Sequence, residues 1–178
     1  MKHWIHGPLG WIHGQLPHDE ETNVVFFRGM SLDALTRGLL GLHRRPLAYG
    51  KGAGWGLLMH DMLSWDEGDY ERTDYRKVCP PGGELVVFVT EPCSAKGHGP
   101  SFEYHRDGRL RTGFSFESLS YGVGEEPNLL LPAFTAANLV GPHAKPDREE
   151  DHEERYGYEE RIVHAITGFL SLPELERP

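Results

Sequence analysis

Long hydrophobic runs and an excess of basic residues are both missing from this sequence, and each absence argues against a class of protein. No apolar stretch approaches the roughly 20 residues that a membrane-spanning helix needs, and the beginning, MKHWIHGPLGW, lacks the continuous apolar segment of a signal peptide. Lys and Arg number 18 against 27 Asp and Glu, a formal net charge of −9, which disfavours binding to nucleic-acid phosphates. We therefore expect a cytoplasmic protein that binds neither membranes nor nucleic acid.

Cysteine is scarce, which argues against disulfides and structural zinc. The two cysteines, Cys79 and Cys93, have no second pair with which to complete a zinc site or a disulfide framework. At 178 residues the chain is long enough to bury a core without such cross-links. We interpret both cysteines as ordinary thiols and expect no metal or other cofactor.

Three segments begin like catalytic or phosphate-binding motifs, and none of them completes one. HEERY, residues 152–156, starts like a zinc-protease helix but has Tyr156 where the second histidine ligand belongs. GFSFE, residues 113–117, has Glu117 where a nucleophile elbow closes with glycine. GKGAGWG, residues 50–56, lacks the spacing of a phosphate-binding loop and is better explained as a flexible loop before a strand.

The stretch NVVFFRGMSLDALTRGLLG, residues 23–41, predicts a buried strand followed by an amphipathic helix. Ser31 is suited to cap this helix, because its hydroxyl can accept a hydrogen bond from an unpaired N–H of the first turn. Met30 and Leu35 then stand at the two positions of a hydrophobic staple, and Gly41 is placed to end the helix. The regular pattern of this stretch is therefore explained by secondary structure and does not indicate a catalytic or ligand-binding motif.

A second stretch, SFEYHRDGRLRTGFSFE at residues 101–117, predicts a hairpin around its Asp-Gly pair. A two-residue Asp-Gly loop would pair His105 with Leu110 and put the apolar residues of the two strands on opposite faces of the sheet. We therefore predict a three-residue loop, 106–108, with Gly108 left-handed in a bulge. The predicted cross-strand pairs are Tyr104 with Leu110, Phe102 with Thr112, and Glu103 with Arg111.

The remaining segments complete the predicted fold. GWGLLMHD at 54–61 and ELVVFVTE at 84–91 are typical of strands. PAFTAANLV at 132–140 and EERIVHAITGFL at 159–170 are typical of helices, and the acidic run DREEDHEE at 147–154 fits a solvated linker or a helix start. The apolar stripe of the later helix is predicted to contain Ile162, Val163, Ile166, Phe169 and Leu170. The order of elements predicts an α+β protein, in which an early amphipathic helix and C-terminal helices pack on a mainly antiparallel sheet.

The N-terminus carries a seven-residue near-repeat, WIHGPLG followed by WIHGQLP. We predict an arm over residues 1–22 and a single α+β domain over residues 23–178. Trp4 and Trp11 are candidates for binding another protein, because aromatic residues concentrate binding energy at interfaces. The alternative is an arm that folds onto its own domain and buries both side chains. Deleting residues 1–17 would distinguish the two, since only the second predicts a large loss of stability.

Histidines and carboxylates suggest a candidate catalytic or metal-binding site. His60 and Asp61 stand at the end of a predicted strand, and His98 lies between two glycines. Imidazole and carboxylate groups transfer protons and bind metals, and strand ends and loops often carry such groups. No recognised spacing brings the three residues together, so the site is a hypothesis.

Small basic patches suggest a second candidate site, this one for binding an acidic partner. One patch consists of Arg44 and Arg45, and the other of Arg106, Arg109 and Arg111. We select Arg109 and Arg111 as candidate binding residues.

Several segments have counterparts in a known family. They are VVFFRGMSLDALTRGLLG, the Trp-led GWGLLMHD, ELVVFVTE, FEYHRDGRLRTGF and AITGFLSLPEL. Together they resemble an uncharacterised actinobacterial family, a domain of unknown function, over roughly residues 23–175. Residues 1–22 have no counterpart, and DMLSWDEGDYERTDYRKVCPPGG aligns only loosely. The resemblance implies a fold and an immunity-like or regulatory character by analogy, and it supplies no catalytic residues.

Two functions follow from these observations. The first is a non-catalytic, cytoplasmic protein-binding module with an immunity-like or regulatory role. The alternative is a small enzyme with a histidine-carboxylate site, with or without a metal, that acts on a small molecule.

Overall fold

The backbone of the protein, given by a computed structural model, forms a six-stranded antiparallel sheet. The structure describes residues 22–52, 54–64, 67–89, 100–144 and 152–173. The strands are β1 (Asn23–Arg28), β2 (Pro46–Lys51), β3 (Gly56–His60), β4 (Glu84–Val89), β5 (Ser101–Arg106) and β6 (Arg109–Ser115). Their spatial order is β2-β3-β1-β4-β5-β6, so the first strand in sequence lies inside the sheet.

Helices pack on both faces of this sheet. They are α1 (Leu32–Gly41), α2 (Asp69–Arg72), a 3₁₀ helix (Tyr75–Val78), α3 (Leu131–Ala136) and α4 (His152–Leu170). α1 and the 3₁₀ helix join the apolar cluster on one face, here called the α1 face. α3 and α4 join the cluster on the other, the α4 face. This architecture confirms the α+β prediction. None of the helices in the described segments is long and apolar enough to cross a membrane.

Alternate residues of the central strands fill the two clusters, because successive side chains of a strand point to opposite faces. The strand residues on the α1 face include Val25, Phe27, Leu58, Leu85 and Val87, which meet Leu35 and Leu39 of α1. Those on the α4 face include Val24, Phe26, Val86, Phe88 and Phe102, which meet Phe134 of α3 and Ile162 and Ile166 of α4. A sheet covered on both faces explains why its central strands are continuously apolar.

The predicted strand-to-helix unit is confirmed. The Ser31 hydroxyl accepts a hydrogen bond from the Ala34 N–H at 3.1 Å, which is the predicted cap. Met30 packs against the cluster that contains Leu35. The helix ends at Gly41, as predicted, and the left-handed residue that follows is His43, with φ at 61°.

The other predicted elements are mostly confirmed, with different bounds. The strands predicted at 54–61 and 84–91 are β3 and β4, and the helix predicted at 132–140 already ends at Ala136. Ile162 and Ile166 form the buried stripe of α4, but Phe169 is 44% exposed, so its predicted place in that stripe is wrong. Leu172, beyond the left-handed Ser171, is buried in the same cluster instead.

The hairpin prediction is wrong at the turn. His105 lies opposite Leu110 and Arg106 opposite Arg109, so the loop has two residues. Both loop residues, Asp107 and Gly108, have left-handed φ values, of 55° and 72°. This is the pattern of the commonest two-residue hairpin turn.

A bulge was needed, as predicted, but it lies in β6 rather than in the loop. The register shifts beyond His105, and Tyr104 pairs with Thr112, so Arg111 is the extra residue. Phe102 consequently pairs with Phe114, and their rings stack with centroids 5.0 Å apart. The bulge restores one consistent apolar face without the predicted pairs of Tyr104, Phe102 and Glu103.

Candidate functional site

The side chains that the sequence singled out do not converge on one place. His60 ends β3 and is followed by Asp61, whereas Arg109 and Arg111 lie on β6, at the opposite edge region of the sheet. The candidates outside the described residues are Trp4, Trp11 and His98.

His60 is completely buried and is hydrogen-bonded through both ring nitrogens. Its Nδ1 lies 2.7 Å from the backbone oxygen of Asp61, and its Nε2 lies 2.9 Å from the Tyr75 hydroxyl. A carbonyl oxygen can only accept, so Nδ1 carries a proton, and in the neutral ring Nε2 accepts from Tyr75. Neither nitrogen is left to bind a metal or reach a substrate.

Tyr75 closes this site from the 3₁₀ helix. Its ring lies between two histidine rings, with centroids 6.0 Å from His60 and 6.1 Å from His105. Burial, together with the negative charge of Glu103, raises the pKa of Tyr75 well above its ordinary value. The phenol therefore remains a neutral hydrogen-bond donor at any physiological pH.

Asp61 is occupied by its neighbours. Its Oδ1 accepts from the Arg45 N–H at 2.7 Å and lies 3.5 Å from Nδ1 of His60. Burial acts to raise the pKa of Asp61, but the contact with His60 and the bond from Arg45 outweigh it and lower the pKa. The backbone oxygen of Asp61 also accepts from Asn23, so the residue joins the ends of β1, β2 and β3.

Arg44 is part of the same buried region, which corrects its assignment to a surface patch. Its Nη1 and Nη2 donate to the two carboxylate oxygens of Asp69 at 2.8 and 2.7 Å, and both side chains are buried. Asp69 also accepts from the Ser64 N–H. Burial acts to raise the pKa of Asp69, but these bonds outweigh it and lower the pKa. The pair fixes α2 to the chain that follows α1.

A second histidine, His105, lies on the α1 face of β5. Its Nε2 lies 2.7 Å from Oε2 of Glu103, which is two residues earlier on the same face. Its Nδ1 is buried and has no hydrogen-bond partner in the described part of the protein. Within the described ranges, no group of three or more His, Cys, Asp and Glu residues is placed to hold a metal ion.

The α4 face carries a different arrangement, a row of charges across one end of the sheet. Arg28 lies opposite Glu84, Glu84 opposite Arg106, and Arg106 opposite Arg109. Directly opposed residues of antiparallel strands share a face. We call these four residues the charged row.

The inner end of the charged row is rigidly held. Arg28 donates to both oxygens of Glu84, at 3.0 and 2.9 Å, while its guanidinium lies 4.3 Å from the ring centroid of the buried Trp55. The Tyr104 hydroxyl donates to Glu84 at 2.7 Å. Burial and this carboxylate raise the pKa of Tyr104 to about 12.

The outer end of the charged row adjoins a segment that we call the strap, residues 121–126, which runs along β6. Arg109 and Arg111 donate to the two oxygens of Glu125 at 3.1 and 2.8 Å, and Arg111 also donates to Glu126. The two arginines selected from the sequence are therefore both paired with carboxylates of the strap.

Backbone hydrogen bonds fix the strap to β6. Gly113 and Val123 exchange two bonds, at 3.0 and 2.8 Å, and the N–H groups of Glu125 and Glu126 donate to Leu110 and Arg111. Two large side chains nevertheless face solvent from this held segment, Tyr121 with 81% and Val123 with 59% of their surface exposed.

Several of these residues were missed by sequence reasoning. Glu103 and His105 stand two apart in a predicted strand, and this signal could have placed both on one face. Tyr75 follows no local pattern, because its contact with His60 depends on the path of the whole connection between β3 and β4. Tyr121 and Val123 alternate with Gly122 and Gly124, a pattern that indicates a turn or loop and gives no signal for binding.

Comparisons with protein-family models, with curated proteins and with solved structures find no match to this chain.

Proposed function

We propose that this chain is a non-catalytic, cytoplasmic protein-binding module with an immunity-like or regulatory role, as its resemblance to the actinobacterial family suggested. The proposal rests on Tyr121 and Val123, two large apolar side chains that a backbone-bonded strap presents to solvent. Buried apolar surface drives most protein association, and tyrosine is enriched among the residues that carry binding energy.

The strap is pre-organised for binding. Four backbone hydrogen bonds and the pairs of Arg109 and Arg111 with Glu125 hold it against β6. A segment already ordered in the unbound protein loses less conformational entropy when a partner docks. The same bonds occupy the outer side of β6, so the partner would contact side chains of the strap rather than extend the sheet there.

The composition of this surface also fits a protein partner. Tyr121 and Val123 supply exposed apolar surface, and further along the strap the Arg109–Glu125 pair supplies charges of both signs. An apolar centre with a polar rim is the usual anatomy of a protein interface.

The alternative, a small enzyme, has less support. His60 is completely buried with both nitrogens hydrogen-bonded, and Asp61 bonds to the backbone of Arg45. A general base must come within hydrogen-bond reach of its substrate, and His60 would have to leave its buried position to do so.

Site-specific photo-crosslinking in the cells that naturally produce the protein tests the proposal. A photoreactive aromatic residue replaces Tyr121 in the full chain, and the control variant carries it at Leu40, which is more than half exposed on α1. We expect a discrete protein adduct from position 121 and none from position 40. Equal labelling at both positions would contradict a defined interface.

A second variant measures the energetic share of the tyrosine. Once the adduct identifies the partner, Tyr121→Ser should weaken binding about thirtyfold, the effect of losing about 2 kcal/mol at an interface centre. Because Tyr121 is exposed, its loss should change the free energy of unfolding by less than about 0.5 kcal/mol. Undiminished binding by Tyr121→Ser would overturn the proposal.

A further inference from the structure

We infer that Arg106 and Arg109 form a binding site for the carboxylates of an acidic segment on the protein partner. The inference deepens the proposed function and rests on it, since it states the chemistry of that partner. Its basis is the placement of two guanidinium groups at the tip of the β5–β6 hairpin, where the charged row meets solvent.

The two arginines lie in a position that the fold alone does not favour. They are directly opposite each other across the two-residue turn. Like charges in such a pair destabilise a sheet, whereas opposite charges stabilise it. Glu84 opposite Arg106 and Glu125 beside Arg109 offset part of this repulsion, but the like-charge pair itself breaks a local rule, as residues at functional sites often do.

Both guanidinium groups keep donors available for a ligand. Arg106 is 58% exposed at its side chain, and the nearest carboxylate oxygen, on Asp107, lies 3.7 Å away. The other oxygen of Asp107 accepts from the Gly82 N–H at 2.6 Å, which fixes this carboxylate to the backbone. Arg109 is 68% exposed and makes one side-chain hydrogen bond within the described ranges, to Glu125. A guanidinium has five N–H donors, so each fork can still take a carboxylate.

The charged row already shows the chemistry that we infer for its outer end. At the inner end, Arg28 binds Glu84 through two parallel hydrogen bonds. This is the geometry in which arginine recognises carboxylates most specifically. Arg106 and Arg109 continue the same row on the same face. Arg106 lies opposite Glu84, whose oxygens already accept from Arg28 and Tyr104, and Arg109 makes one hydrogen bond, to Glu125.

Charge favours a short acidic protein segment over an extended polyanion. The whole chain carries a formal charge of −9, which repels a long nucleic acid at a distance. Two neighbouring guanidinium groups attract carboxylates only over about 8 Å at physiological salt. A compact cluster of Asp or Glu side chains avoids the long-range repulsion and still comes within the short range of the attraction, because it can contact the hairpin tip without approaching the rest of the chain.

Fluorescence anisotropy with a labelled oligoglutamate peptide tests the inference on the purified full chain. We expect salt-sensitive binding that weakens about fivefold in Arg106→Gln and in Arg109→Gln, the effect of about one exposed ion pair each. Arg37→Gln is the matched control, because Arg37 is also exposed and forms a single ion pair, with Asp33. It removes the same charge from α1 and should leave binding unchanged.

Three results would overturn the inference. They are no peptide binding by the unaltered chain, equal losses in all three variants, or tighter binding of an oligothymidylate of equal charge. Tyr121→Ser should retain peptide binding. Crosslinking from position 121 without peptide binding would refute the carboxylate site and leave the proposed function intact.

Thermal unfolding separates binding from a structural role of the pair. Arg106→Gln removes both the like-charge contact with Arg109 and the opposite charge that faces Glu84, so its melting temperature should stay close to that of the unaltered chain. A lower melting temperature would show that Arg106 stabilises the hairpin and would count against the inference.

Discussion

Replacing Tyr75 by Phe removes one hydroxyl from the buried region between β3 and the 3₁₀ helix and changes little else. The aromatic ring keeps its contacts with His60 and His105, but Nε2 of His60 loses its hydrogen-bond donor. A buried acceptor left without a partner costs about 1–3 kcal/mol. We expect Tyr75→Phe to lower the free energy of unfolding by that amount.

Urea unfolding, followed by far-ultraviolet circular dichroism, measures this change. The matched control is Tyr121→Phe, which removes the same hydroxyl from a side chain that is 81% exposed and should shift stability by less than about 0.5 kcal/mol. Adding His60→Leu gives a double-mutant cycle. We expect a coupling energy between His60 and Tyr75 of about 0.5–3 kcal/mol, because each single variant leaves one buried group unpaired.

A small change in the free energy of unfolding would refute this reasoning. If Tyr75→Phe changed stability no more than Tyr121→Phe, the hydroxyl would not be satisfying a buried nitrogen. His60 would then be accessible to water or ligands, and the enzyme alternative would regain support.

Two further predictions concern the other ionisable groups. Asp69→Asn removes the charge that faces the buried Arg44 and should cost about 3–5 kcal/mol, whereas Asp33→Asn, in an exposed pair, should cost at most about 1 kcal/mol. The pKa of Asp69 is lowered on folding, so its contribution is complete above the ordinary aspartate pKa and is lost as pH falls through the folded value. Unfolding titrations of both variants against pH check this. The pKa of Tyr104 is about 12, against an ordinary 10.0. The stability that this shift contributes is therefore complete below pH 10 and is lost between pH 10 and 12. In an ultraviolet titration, Tyr104→Phe should lack the phenol transition near pH 12.

Local signals predicted the parts of the fold that depend on neighbouring residues. The cap of α1 needs only Ser31 and the N–H three residues later, so sequence spacing is sufficient to find it. Strands β1, β3 and β4 are apolar enough to be recognised singly. β2 was not predicted as a strand, because it begins with Pro46 and contains Gly50, residues that are depleted in strands.

The hairpin shows where local signals fail. The two possible loops differ only in where one bulge lies, and backbone hydrogen bonds from the strap reach β6 at that bulge. Glu125 and Glu126 donate their N–H groups to the carbonyls of Leu110 and Arg111, the residues at the bulge. Because these bonds come from residues far along the chain, the turn sequence alone does not contain the information.

The candidate site was less predictable than the fold for the same reason. His60 and Asp61 were found because histidine beside aspartate is a visible pair, but their burial depends on Tyr75. Arg109 was selected because it is basic. Its position directly opposite Arg106 follows from the two-residue turn, which was not the turn predicted from the sequence.

The position of β1 inside the sheet has a consequence for biosynthesis. β1 ends at residue 28 and its second neighbour, β4, ends at residue 89, so 61 further residues must be made before both edges of β1 can be paired. At about 5–20 residues per second, translation takes about 3–12 s to cover this distance. During that time the apolar run Val24 to Phe27 has an unpaired edge on the ribosome, where it can attract chaperones or other nascent chains.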